Sequence, residues 1–186
     1  DHSIDPYFAH MVTRVRKMGF HVMLHFHNTL MHEETHFFPR YVQNQSRLRG
    51  IDYVDGVGHD ALRNTLLQSS NKEFGNSWSA RQGAEIRQTG YLMNPACEGW
   101  RYSFVAAIVS AVKATGADAV HLDVPNHWID LHNERYGMNC QQGYRLFYRQ
   151  LRETLDENGL QHVALGTEVT PHEAALPYVD LAQNSR

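Results

Sequence analysis

Gly116-Ala117-Asp118-Ala119-Val120-His121-Leu122-Asp123-Val124-Pro125-Asn126 is the stretch whose reading decides the fold. Ala117–Asp123 reads as a short strand, and alternation puts Val120 and Leu122 on one face and Ala119, His121 and Asp123 on the other. The same division recurs twice. In Phe20–His27, Val22, Leu24 and Phe26 oppose His21, Met23, His25 and His27. In His162–Thr167, Val163 and Leu165 oppose His162, Ala164, Gly166 and, just past the end, Glu168. A doubly wound sheet would be apolar on both faces. Here one face is apolar, while the other carries imidazoles, small residues and a carboxylate at or beyond the C-terminal end. That pattern suits a barrel wall, whose functional groups sit at the C-terminal rim.

Helical patterns separate these strands. Asp5-Pro6 is an N-cap with proline in the first turn, and Phe8, Met11, Val12, Val15 and Met18 follow at helical spacing up to Gly19. Phe104, Val105, Ile108, Ala111 and Val112 form a second stripe, closed by Gly116; Leu146, Phe147, Leu151 and Leu155 form a third, ending before Gly159. Thr170-Pro171-His172-Glu173 reads as a capping box, and Val179–Gln183 as a last strand. A long insertion at about 28–90 is expected, with a helix at Asp60–Gln68 and an extended piece at Tyr91-Leu92-Met93. Strands alternating with helices mean an α/β chain of parallel βα units. A TIM (β/α)8 barrel typically needs about 250 residues and eight strands. Four clear strands therefore predict that residues 1–186 form a single partial barrel domain, about half of a barrel. Both ends read as folded sequence, so a fragment of a longer protein is expected. The alternative is a complete small α/β domain that closes its open edges as a homo-oligomer.

Composition narrows the function classes. The 186 residues hold 17 Lys+Arg against 20 Asp+Glu, a net charge of −3, and 42% hydrophobic residues, which is a globular balance. No basic footprint for nucleic acid is present, and no apolar run approaches a membrane span. Cys97 and Cys140 are too few for a disulfide scaffold; both are expected on rim loops, as free thiols or as a disulfide. The 13 histidines are the unusual number, since imidazoles bind metals and titrate near neutrality.

Three constellations could do chemistry. Asp123 and Glu168 end successive strands one βα unit apart, on neighbouring rim positions. Glycosidic cleavage needs two such carboxyl groups, one to protonate the leaving oxygen and one to attack the anomeric carbon or activate water. The structural alternative is that Asp123 caps a loop and Glu168 caps the helix after Thr170. Second, His25 and His27 share a strand face, and His121 with Asp123 adds two potential ligands. As hydrogen-bonding groups, His25, His27 and His121 would line a polar groove for sugar hydroxyls. As ligands, His25, His27, His121 and Asp123 would make a metal-dependent, amidohydrolase-like hydrolase, the main alternative. Third come the rim amides and aromatics: Asn94, Asn126, Gln183, Trp100 and Trp128, with Trp128 favoured as a pyranose platform.

Gly116–Asn126 resembles the strand of (β/α)8 glycoside hydrolases of the α-galactosidase/α-glucosidase superfamily that ends in the nucleophilic aspartate. It is also similar to endo-α-N-acetylgalactosaminidases and their relatives, in which a Gly-x-Asp-(apolar)2-x-Leu-Asp-Val strand recurs. Asn94-Pro95-Ala96-Cys97 with Trp100-Arg101 resembles the Asn-Pro segment ahead of that strand's preceding helix, and Leu165-Gly166-Thr167-Glu168 the later strand bearing an acidic partner. Met18-Gly19-Phe20-His21-Val22 resembles the Gly-Phe-x-Val lead into an earlier strand, and the similarity is best from about Tyr91 to Gln183. The resemblance implies Asp123 as nucleophile and Glu168 as acid/base of a retaining enzyme acting on an oligosaccharide or glycoconjugate. It also implies that no cofactor is required. His25, His27, Asn94, His121, Asn126, Trp128 and Gln183 are the expected sugar-binding residues. A glycan-binding or oligomerising module without catalysis is the second alternative.

Overall fold

A computed structural model of the chain describes residues 4–27, 30–32, 90–92, 95–96, 98–123, 132–133, 137–168 and 175–183. Its main sheet has four parallel strands in the order β1 (Met23–His27), β4 (Ala119–Asp123), β7 (Ala164–Glu168) and β8 (Leu181–Gln183). Three helices, α1 (Pro6–Lys17), α2 (Glu98–Thr115) and α3 (Cys140–Glu157), alternate with them. Two small antiparallel ladders complete the described elements. In one, β2 (Leu30–His32) pairs with β3 (Gly90–Leu92), on either side of the expected insertion; in the other, β5 (His132–Asn133) pairs with β6 (Met138–Asn139). The expected helix at 60–68 and the Thr170 capping box lie outside the described residues.

The helices start and stop where their chemistry directs. The Asp5 carboxylate accepts from the Tyr7 N–H at 2.7 Å, with Pro6 at the first helical position. Gly19 and Gly116 follow α1 and α2 in the left-handed conformation, with φ of 91° and 68°, which glycine adopts without a Cβ clash. The sequence places the start of α3 less well. Asn139 and Gln142 close a reciprocal capping box there, each side chain accepting from the other's backbone N–H.

One core joins sheet and helices. Val120, Leu122 and Leu165 are fully buried and Leu24 nearly so, among Ile108 and Val112 of α2 and Phe147, Leu151 and Leu155 of α3. Each such side chain contributes about 1.5–3 kcal/mol by leaving water. The alternation expected from sequence is therefore real: the even-numbered strand positions in β1 and β4 and Leu165 in β7 face helices. Trp100 is a correction. Expected on the rim, it is 2% exposed, packed between Phe104 and Phe147 at ring-centroid distances of 5.2 and 5.5 Å. Its position one turn before Phe104, on the same helical stripe, explains the burial.

The N-terminal end of the sheet is held by Asp118. Its carboxylate accepts two hydrogen bonds from the Arg16 guanidinium, at 2.8 and 3.0 Å, and one from the Val22 N–H at 3.0 Å. The Arg16 hydrogen bond, then that of Val22, holds this carboxyl well below the usual carboxylate range. Asp118 thus ties α1 and the lead into β1 to β4, at the end opposite Asp123.

Candidate active site

Parallel pairing converts strand parity into rows of side chains. His27 pairs with Asp123 and Glu168 with Gln183. Leu122 pairs with Thr167, so the next row sets Asp123 beside Glu168. The four strands thus end in one register row of His27, Asp123, Glu168 and Gln183, in which His27, Asp123 and Glu168 have the parity of the side the helices leave open. One row below lie His25, His121, Gly166 and Leu181. The apolar side chains of β1, β4 and β7 occupy the helix-facing positions, so the polar ones fall to the opposite face by necessity.

The two rows touch through His25. Its Nε2 lies 3.5 Å from Asp123 Oδ2, and its ring stacks on that of His121 with centroids 5.2 Å apart and planes inclined by 17°. His121 is 7% exposed, and among the described residues neither of its ring nitrogens finds a hydrogen-bond partner. Its far edge lies over β7, where a Cβ on Gly166 would stand 3.5 Å from His121 Cδ2. His27 is half-buried. Burial, and then the neighbouring His25, lower its pKa from the ordinary histidine value of 6.5, against the opposing pull of Glu168. Its imidazole is therefore neutral in neutral solution, with one nitrogen to donate and one to accept. Asp123 and Glu168 are themselves partly exposed.

The strands bring only some of the expected site residues together. His25, His27, Asp123 and Glu168 come together, with Gln183 at the adjoining register position. His121, expected to contact sugar, is instead buried beneath the rim. Asn94, Asn126, Trp128 and Cys97 lie outside the described residues, and Cys140 is the first residue of α3. Among the described residues no three His, Cys, Asp or Glu side chains converge as metal ligands, the set His25, His27, His121 and Asp123 included. For the pair His25 and His121 the stacking is a sufficient reason. Imidazole lone pairs lie in the ring plane, and two nearly parallel, offset planes share no point within the ~2.1 Å that a ligating nitrogen requires.

Arg101 stands in the Asn-Pro resemblance, but the sequence assigns it no role. It is 7% exposed, and its Nη1 donates to the carbonyls of Pro95 and Ala96 at 2.7 and 2.9 Å. It fixes the turn that follows Asn94. A signal was present, since Arg101 stands one turn before Val105 and two before Ile108, on the apolar stripe of α2.

No protein-family model matches the chain, and no curated protein sequence does so either. Solved structures do. A noncanonic maltogenic α-amylase from Thermotoga neapolitana superposes with a TM-score of 0.55 at 11% identity, covering 94% of this chain and 30% of that one. The α-galactosidase of Thermus thermophilus, in complex with stachyose, gives 0.55 at 16% identity, with the same coverage of 94% and 30%. Aspergillus fumigatus Ega3, in complex with galactosamine, gives 0.56 at 10% identity over 95% of this chain and 55% of that one. These likenesses establish the fold: the four parallel strands and their helices form part of a (β/α)8 barrel. The chain spans about a third to a half of the length of these three structures.

Proposed function

We propose that this chain carries the catalytic carboxylates of a retaining glycoside hydrolase acting on an oligosaccharide or glycoconjugate. One observation supports the reading above the rest: Leu122 pairs with Thr167, and continuing that register by one residue sets Asp123 beside Glu168 at the C-terminal ends of adjacent parallel strands. Adjacent strands run about 4.7–4.9 Å apart, close to the ~5–5.5 Å between the carboxyl groups of retaining pairs. The C-terminal rim is where barrel enzymes do their chemistry, and structures sharing this fold include an α-amylase and an α-galactosidase.

In the proposed reaction Asp123 attacks the anomeric carbon, forming a carbon–oxygen bond to the sugar as the glycosidic bond breaks. Glu168 gives its proton to the departing oxygen. Water then attacks the glycosyl-enzyme and loses its proton to Glu168, and the Asp123 carboxylate is released. No cofactor is required. His27, beside Asp123 in the register, contacts sugar hydroxyls, and Asn94, Asn126, Trp128 and Gln183 complete the sugar contacts. Asp123→Asn removes the nucleophile without changing volume. It is expected to lower turnover by roughly four orders of magnitude with an unchanged melting temperature, read as reducing ends released from glycans. Glu168→Gln is expected to spare substrates whose leaving group needs no proton, such as nitrophenyl glycosides, far more than natural glycosides. Wild-type turnover in Asp123→Asn sinks the assignment.

A further inference from the structure

We propose that His25 is a positioning residue that holds the Asp123 carboxylate in its attacking orientation, with the His121 ring as its support. The inference rests on Asp123 being the nucleophile and extends that reading to how the nucleophile is aimed.

Three observations carry it. First, Asp123 ends its strand with a side chain free to rotate about two bonds, and the described group that approaches it is His25 Nε2, 3.5 Å from Oδ2. A nitrogen facing a carboxylate oxygen carries the proton, because two acceptors would repel. Such contacts are commonly long before substrate binds and shorten in the reacting complex. Second, His25 is itself 60% exposed in its side chain and comes from the row below, so it needs something to hold its ring up to the rim. His121 supplies that surface through the 5.2 Å stack. Third, His121 is buried with both nitrogens lacking partners among the described residues, an arrangement that usually costs stability. Its ring acts through its face, not its polar edge. Gly166, with no side chain, lets that ring extend over β7. His25, His121 and Gly166 are consecutive partners across three strands, so the pairing register itself builds the stack.

The two jobs of His25, stacking and donating, can be separated. His25→Phe keeps a flat ring on His121 and removes the N–H. His25→Gln gives up the ring but places its amide Nε2 the same number of bonds from Cβ as the imidazole Nε2. The readout is the rate at which the full chain is covalently trapped by ring-fluorinated glycosyl fluorides of glucose and galactose, in both anomeric forms. Intact-mass and peptide spectra follow the adduct on Asp123, with Asp123→Asn as the blank. The expected result is a ten- to hundredfold slower trapping in His25→Phe, about what loss of alignment costs. Most of the rate should return in His25→Gln, and melting temperatures should be unchanged in both. A purely structural role would not separate the two variants in that order. Trapping of His25→Phe at the wild-type rate, with the adduct still on Asp123, overturns the positioning role and leaves the nucleophile standing. No adduct on Asp123 in the wild type under any of the four probes overturns both together.

Discussion

Two aspartates on one strand do opposite work, and position along the strand decides which. Asp118, just before β4, spends its hydrogen-bonding capacity on Arg16 and Val22; Asp123, at the C-terminal end, is approached among the described residues by the His25 imidazole. The first is a structural bond and its energetics follow. Arg16 and the Val22 N–H lower the Asp118 pKa, so the folded chain takes up a proton there less readily than the unfolded one. The stabilisation is complete above the ordinary value of 3.8 and is lost as pH falls below it. Asp118→Asn is therefore expected to cost about 1–2 kcal/mol near pH 7, the size of a charge-assisted bond set at a partly exposed site. The cost should begin to shrink below the ordinary value of 3.8 and largely vanish only as the folded carboxylate itself takes up its proton, so urea midpoints of wild type and variant converge towards about pH 2 and below. An undiminished gap at acid pH refutes the linkage. Strand parity and the resemblance made Asp123 legible as a strand-end acid, while Asp118 went without a role. What separated them was a partner distant in the chain, Arg16, which local pattern does not reveal. Trp100 shows the converse: its spacing to Phe104 held the answer, yet its proximity to Asn94 suggested the rim.

At the scale of elements, the close approach of α3 to the turn before α2 has no counterpart in periodicity. A Cβ on Gly143 would stand 2.5 Å from the Pro95 carbonyl carbon and 2.7 Å from its oxygen. Those atoms are backbone, and the same carbonyl is already bound by Arg101. In an ordinary helix interior, glycine to alanine gains about 1 kcal/mol. Here overpacking against a fixed turn costs about 1–3 kcal/mol, so the collision wins. Gly143→Ala is expected to be destabilising by denaturant unfolding, and a stabilised variant would show that the turn yields. The wider lesson concerns which interactions are local. Helices α1 and α2 were readable because caps, stripes and stop glycines lie within a few residues of one another. The parallel strands were readable because alternation reports burial directly. The ladders of β2 with β3 and of β5 with β6 are two or three residues long; Tyr91-Leu92 of β3 was legible as an extended piece, but each strand pairs across intervening chain and no local signal names its partner. An isolated glycine within a helical stretch was the one cue to the α3 contact.

For the whole molecule, the decisive quantity is the pairing order. Strand parity predicted a sheet with one apolar face, but parity is equally compatible with several orders. Only the observed β1-β4-β7-β8 sequence puts His27, Asp123, Glu168 and Gln183 into a single row. The same order leaves β1 and β8 as the outer strands among the described residues. Each carries a half-exposed apolar side chain: Met23 at 50% and Leu181 at 52%. An outer strand presents unpaired N–H and C=O groups, and hydrophobic neighbours make those groups a template for another strand. Parallel β1 of one copy has the polarity to receive parallel β8 of another, as a barrel wall would continue. Studied by itself, this chain is therefore expected to associate with increasing concentration in sedimentation velocity. Placing lysine at both edges, Met23→Lys with Leu181→Lys, should move the association midpoint upward by roughly tenfold or more, since a charge on an edge strand opposes pairing. Met23 and Leu181 are both half-exposed and lie on the sheet face opposite the helix-packed core, so the melting temperature of the monomer should hold. A chain that stays monomeric at every concentration tested would mean that the outer strands are already shielded, and the edge argument would fail.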